Sequence, residues 1–189
     1  MTRDELAHVL RAAARIAEDG DILVVGSQAI LGSHSETELP EETWLSVEAD
    51  LVFLDPVDGP EKAERVDGAI GELSQFHETH TYYAQGVDLT TAKLPAGWQD
   101  RVVAFQPGAA VPAAAACVEK HDLVVSKLVA MREKDRAFAM ALLRAGLVEL
   151  DVLRERAEAL DSVPPPTRRA VVAWIDAAAR RVGPGAADA

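Results

Sequence analysis

The run Val47-Glu48-Ala49-Asp50-Leu51-Val52-Phe53-Leu54 sets two carboxylates inside an apolar, β-branched stretch. A stretch of this kind is expected as a strand. Alternate strand residues point to one face, so Glu48 and Asp50 project together. Two acids side by side on a buried sheet repel each other unless a cation lies between them. Magnesium meets that need, because it takes one or two protein carboxylates and completes its octahedron with water and phosphate oxygens. An edge strand with one solvated face would carry the same pattern, so the pair alone leaves both readings open.

A second feature stands upstream. Thr2 and Glu5 have capping-box spacing, and Leu6, Val9, Leu10, Ala13 and Ile16 follow at helical intervals up to Gly20. Ile22-Leu23-Val24-Val25 then reads as a buried strand that stops at Gly26-Ser27, and Gln28 to Leu31 suits a helix. A strand that ends in Gly-Ser and opens a helix can present backbone N–H groups to an anion, and glycine permits close approach. Plain capping of a short helix by the serine is the alternative.

Beyond the acid pair, Glu61 to Leu73 has a helical apolar face, and Thr81 to Leu89 and Arg101 to Phe105 are strand candidates. The polar stretch 33–45, with Pro40, is expected as a loop. After Pro112 the pattern turns helical, with helices expected near 119–131, 135–145, 149–160 and 166–181 and a break at Pro164-Pro165-Pro166. Strands in the first half and helices in the second imply an α+β fold. The expected division is an α/β core over 1–112, a helical region over 113–182 packed on it, and a disordered tail over 183–189.

Composition narrows the function. The chain carries 19 basic and 31 acidic side chains, so any surface that grips nucleic acid must be local and work against the net field. The one cysteine, Cys117, excludes a disulfide framework within the chain and reads as a small buried residue. His77, His80 and His121 lack metal spacing and are expected as surface or loop residues, with His34 near the nucleotide. Trp44 is the best base-stacking candidate among the aromatic residues. No apolar run spans a membrane, and the N-terminus carries acids within its apolar pattern, so a cytoplasmic location is expected.

Taken together, Val24-Val25-Gly26-Ser27-Gln28-Ala29-Ile30 and Ser46-Val47-Glu48-Ala49-Asp50-Leu51-Val52-Phe53 resemble the nucleotidyltransferases of the polymerase-beta type. The first acid here is Glu48 where that family carries Asp, which changes its reach. The segment His121 to Leu143 is similar to AbiEii-type abortive-infection nucleotidyltransferases and their relatives, with Lys127 and Asp135 at the matching positions. The resemblance implies a small mixed sheet with a C-terminal helical bundle. It also implies a Mg2+ ion held by Glu48 and Asp50, with Gly26, Ser27 and Lys127 holding the phosphates of a nucleoside triphosphate and Asp135 in the active site. Asp88 is the candidate third carboxylate, acting as general base, although a strand-end aspartate would look the same. The implied acceptor is an RNA end, a protein hydroxyl or a small molecule, and a cognate partner protein in a toxin–antitoxin pair is a further implication. The alternative is a non-catalytic nucleotide-binding or protein-partner module on the same fold.

Overall fold

The computed structural model describes residues 1–106 and 115–182. The boundary expected at Pro112 and the tail expected from 183 onward lie outside the described residues. The elements run α1 (Arg3–Ala17), β1 (Ile22–Val25), α2 (Ile30–Ser33), α3 (Glu41–Trp44), β2 (Glu48–Phe53), α4 (Gly59–Ile70), α5 (Gln75–His80) and β3 (Tyr83–Gly86). They continue with β4 (Val103–Ala104), β5 (Ala116–Cys117), α6 (Lys120–Ala130), α7 (Glu133–Arg144), α8 (Leu150–Glu158) and α9 (Pro165–Val182).

The strands form one mixed sheet in the order β3-β2-β1-β5-β4. β1 runs antiparallel to β2 and parallel to β5, while β2 runs parallel to β3. This is the α+β architecture expected from the sequence. Register decides what the sheet can do. Val25 pairs with Asp50, so the turn after β1 emerges beside the acids of β2.

The two sheet faces differ. Ala49, Leu51 and Phe53 are buried on one face. On that face Gly86 has no room for a side chain, because a Cβ there would stand 2.2 Å from the Ala63 carbonyl oxygen of α4. α1 lies against α4 and buries Leu6, Val9, Leu10 and Ala13. The capping box at Thr2 forms as expected, with Thr2 accepting from the Glu5 N–H and Glu5 accepting from the Thr2 N–H. Glu48 and Asp50 point to the other face. One hydrophobic cluster runs from α1 through the sheet to Ile175 and Ala178 of α9, so the helical second half shares its core with the first.

Several elements differ from expectation. α1 ends at Ala17, ahead of the stop expected at Gly20, and Glu18 takes the left-handed conformation (φ 54°) at its C-terminus. The stretch 33–45 contains α3, whose first turn follows Pro40. α4 starts at Gly59 and stops at Ile70, earlier at both ends than the apolar face suggests. α5 has no fully buried residue, only a half-buried Phe76 packed on the core, and carries a cap, the Ser74 hydroxyl accepting from the His77 N–H. The strand candidates shrink to Tyr83–Gly86 and Val103–Ala104. β5 was not foreseen, yet it fills the gap between β1 and β4. Among the described residues no helix is long and apolar enough to cross a membrane.

Candidate active site

Gly26 builds the site. Its φ is 64°, a region that L side chains rarely adopt, and its α-carbon lies against the Asp50 side chain. A Cβ at this position would stand 1.8 Å from the Asp50 Oδ2. The turn therefore closes over the carboxylate, and Ser27 follows at the start of a short 3₁₀ turn, Ser27–Ala29. Gln28 locks this arrangement. It is fully buried, and its amide donates to the Ser46 carbonyl at 2.7 Å and the Trp44 carbonyl at 3.3 Å, tying the turn to the entry of β2.

Glu48 and Asp50 share a face of β2, as their spacing requires. Burial, then the charge of Glu48 and a hydrogen bond to it, push the Asp50 carboxyl up to about 7. Lys127 and Lys134 oppose that rise. The site thus holds a closely spaced carboxylate pair, beside a glycine whose missing side chain lets the Asp50 carboxylate come up against the turn. That donor set fits magnesium. Among the described residues no group of three or more His, Cys, Asp or Glu could hold a metal ion, so phosphate and water would supply the other positions.

Lys127 enters from α6. Its Nζ donates to the Ser27 Oγ at 2.8 Å and lies 3.7 Å from the Asp135 Oδ1 of α7. Its ammonium also stands 4.8 Å over the centre of the Phe138 ring. Burial lowers the Lys127 pKa, and the Asp135 and Asp50 charges resist that. Asp135 has no exposed surface and also accepts from the Arg132 Nε at 2.7 Å. So one buried aspartate holds two cations at the mouth of the Glu48–Asp50 pair. Five of the sequence candidates (Gly26, Ser27, Asp50, Lys127 and Asp135) are linked by direct contacts or by charge, and Glu48 stands beside Asp50.

Asp88 is not brought to this group. β3 sets Tyr83 opposite Glu48 and Gln85 opposite Asp50, and Asp88 lies beyond the other end of that register. There it lines a hollow with Asp55 and Pro56. Its carboxylate accepts from the Thr90 hydroxyl at 2.6 Å and the Thr90 N–H at 2.7 Å, which holds its pKa below the usual range. The position that faces Asp50 across the strands belongs to the exposed Gln85.

Other expectations shift as well. His121 is buried, against the surface placement expected for it, with its Nδ1 2.7 Å from the Glu119 Oε1 and its Nε2 on the Glu149 carboxylate. It joins α6 to the start of α8. His34 lies near Lys120, Glu38 and Glu149 instead of the acid pair. Trp44 is half-buried and packed on the core, with α3 lying against α7. Cys117 is buried as expected, with a Cβ at Gly32 barred by its side chain at 2.5 Å, and burial raises its thiol to about 12. Arg132, Lys134 and Gln28 were not foreseen. The first two stand in the same Arg-x-Lys-Asp run as Asp135 and were readable there. Gln28 gives no pattern of its own.

The chain matches the family described as a nucleotidyltransferase of unknown function (DUF6036) across residues 4–176. No curated protein and no solved structure matches it.

Proposed function

The chain belongs to this nucleotidyltransferase family, and from that premise we propose that it transfers a nucleoside monophosphate from a nucleoside triphosphate to an acceptor hydroxyl with Mg2+. One observation carries the reading: Gly26 closes on Asp50 while Lys127 bonds Ser27, the next residue of the turn. Magnesium held by Glu48 and Asp50 would supply charge neutralisation at the reacting phosphate. The protein does the rest by position. Gly26 lets the turn lie directly against Asp50, and the Ser27 hydroxyl bonds one of the phosphate oxygens. Lys127, a point cation on a stem held over Phe138, moves its hydrogen bond from Ser27 to the triphosphate. Asp135 keeps Lys127 and Arg132 aimed at that place, and Lys134 adds a third positive charge nearby.

The similarity of the Lys127 and Asp135 segment to AbiEii-type proteins supports a role in a toxin–antitoxin pair, with a cognate protein restraining the activity. Expression in a bacterial host tests this: growth arrest that the Glu48→Ala/Asp50→Ala variant does not cause is the expected outcome. The direct test is calorimetric titration with each of the four nucleoside triphosphates, with and without Mg2+. Mg2+-dependent binding lost in the double variant is expected, and binding that survives in the variant would sink the assignment.

The position of Asp88 favours a second reading, in which nucleotide binds without turnover. Release of pyrophosphate over many turnovers separates the two. Its absence with every acceptor class, despite Mg2+-dependent binding, would establish the binding module.

A further inference from the structure

The edge strand β3 meets the acid pair with neutral side chains. β2 and β3 run parallel with Tyr83 opposite Glu48 and Gln85 opposite Asp50, so these four side chains share one face of the sheet. The residues between and after them go to the other face, where Ala84 is buried and Gly86 meets α4. Tyr83 is half-buried, and its ring lies 4.6 Å from that of His77 in α5. The Leu73 N–H donates to the His77 Nδ1 at 3.1 Å and holds that ring in place. Burial, then the charges of Glu48, Glu72 and Asp50, raise the pKa of the Tyr83 phenol, and a hydrogen bond to Glu48 adds to the rise. Gln85 is exposed, and its amide brings no charge to Asp50.

Other elements around the pair contribute positive charge. Lys127 of α6 and Lys134 of α7 both act to lower the Asp50 pKa, and the Asp50 charge in turn raises that of Arg132. Two metal ions in one site stand about 3.5–4 Å apart and need acids enough to hold both. Among the described residues no group of three or more His, Cys, Asp or Glu could hold a metal ion. Asp88, the next acid along the chain from β3, is taken by the Thr90 hydroxyl and N–H. A second ion would therefore find an amide where it needs a carboxylate, and three cationic side chains nearby.

From these features we infer that the site takes a single divalent cation per bound nucleoside triphosphate, and that Gln85, set opposite Asp50, is the residue that limits it to one. The inference rests on the nucleotidyl-transfer reading above. One ion is well served here, because magnesium keeps several waters and needs only one or two protein carboxylates beside the phosphates. The positive charge that a second ion would bring to the phosphates is supplied instead by Lys127, Arg132 and Lys134, which are fixed parts of the chain. In a two-ion site both the attacking and the leaving oxygen are clamped. An acceptor oxygen in this site is placed by protein contacts, with no second ion to bind it.

The test uses the full chain and the α,β-imido analogues of the four nucleoside triphosphates, which bind without being split at the reacting bond. Mn2+ is the spin probe, titrated by electron paramagnetic resonance and counted against analogue bound to the protein. The parent and Gln85→Asn are expected to hold one Mn2+ per bound analogue, with a spectrum free of coupling between ions. Gln85→Asp restores a carboxylate at that register position. It is expected to take a second Mn2+ at least about tenfold more tightly than the parent does. Its spectrum should broaden, as two ions roughly 4 Å apart couple. Gln85 is exposed on an edge strand, so both variants should melt close to the parent, and the count in the parent decides the matter without them. Two coupled Mn2+ ions in the parent would overturn the inference. So would a Gln85→Asp variant that folds, binds the analogue and keeps the parent's count. A parent that binds none of the four analogues at any Mn2+ concentration would remove the nucleotidyl-transfer reading itself.

Discussion

At the scale of single residues, Gly26 and Asp50 are mutually dependent. Any side chain at Gly26 collides with the Asp50 carboxylate and also has to hold φ at 64°. Gly26→Ala therefore displaces Asp50 or opens the turn. We expect it to cost roughly 1–3 kcal/mol of stability and to lower Mg2+-dependent nucleotide affinity by at least about tenfold. Thermal melting and calorimetry would check both, and an alanine variant that binds like the parent would show that the turn is not the phosphate site. Lys127 gives a contrasting case. Lys127→Met keeps an apolar stem over Phe138 and leaves Asp135 paired with Arg132. The fold should survive, while nucleoside triphosphate affinity falls by about tenfold or more with loss of the point charge. Much of this residue-scale arrangement was legible in the sequence, because Gly-Ser, acid-x-acid and the Lys127 and Asp135 pair each depend on short spacings. Asp88 was the exception. A strand-end aspartate has a local partner available two residues on, and here the Thr90 N–H and hydroxyl take it.

Among the elements, the long helices and the two central strands declared themselves through period and β-branching. The short ones did not, for physical reasons. β5 is two residues, Ala116 and Cys117, with no alternation to detect, and it exists because β1 and β4 offer it edges from distant parts of the chain. α5 has no buried residue and so no apolar period. The contacts between elements are equally non-local. Lys62 of α4 reaches Asp19, after α1, at 2.9 Å and Asp55, after β2, at 3.0 Å. Backbone hydrogen bonds and Lys62 hold Asp55 down to about 2, and Asp19 is lowered in the same way. Because these folded-state pKa values lie below the ordinary 3.8, the contribution is present above that pH and is lost as pH falls toward 2. Lys62→Met should therefore melt lower than the parent at neutral pH, with a gap that narrows at pH values near 2. A gap that widened in acid would refute the linkage. Deeper in the helical half, buried Asp122 accepts from the Arg101 Nε at 2.8 Å, and the Arg156 Nε lies 3.4 Å from its other oxygen. Asp122→Ala strands two half-buried guanidinium groups, and we expect a loss of roughly 2–4 kcal/mol, or about 5–10 °C in Tm.

For the molecule as a whole, the same arrangement that prepares the site opposes folding of the metal-free protein. The Asp50 carboxyl, with an ordinary value of 3.8, is raised to about 7 by burial and by Glu48. An acid whose folded-state pKa is raised binds its proton more tightly in the native state than in the unfolded one. Stability from that group is thus fully present below 3.8 and is lost as pH rises through about 7. In a chelator, Asp50→Asn should melt above the parent at pH 8 and close to it at pH 4, since asparagine has no charge to bury. The comparison isolates this one group from the rest of the acidic chain. Adding Mg2+ and the cognate nucleoside triphosphate should reverse the order. The parent gains about 2.7 kcal/mol at a hundredfold excess over Kd, worth about 5–10 °C, while the variant gains little. If Asp50→Asn is no more stable at pH 8, the carboxylate is not desolvated as described. If Mg2+ and nucleotide raise both proteins equally, the ligand sits elsewhere. The expected crossing of the two stability orders is what an active site held in a strained charge state produces, because the free energy that ligand binding releases is the free energy the empty fold lacks.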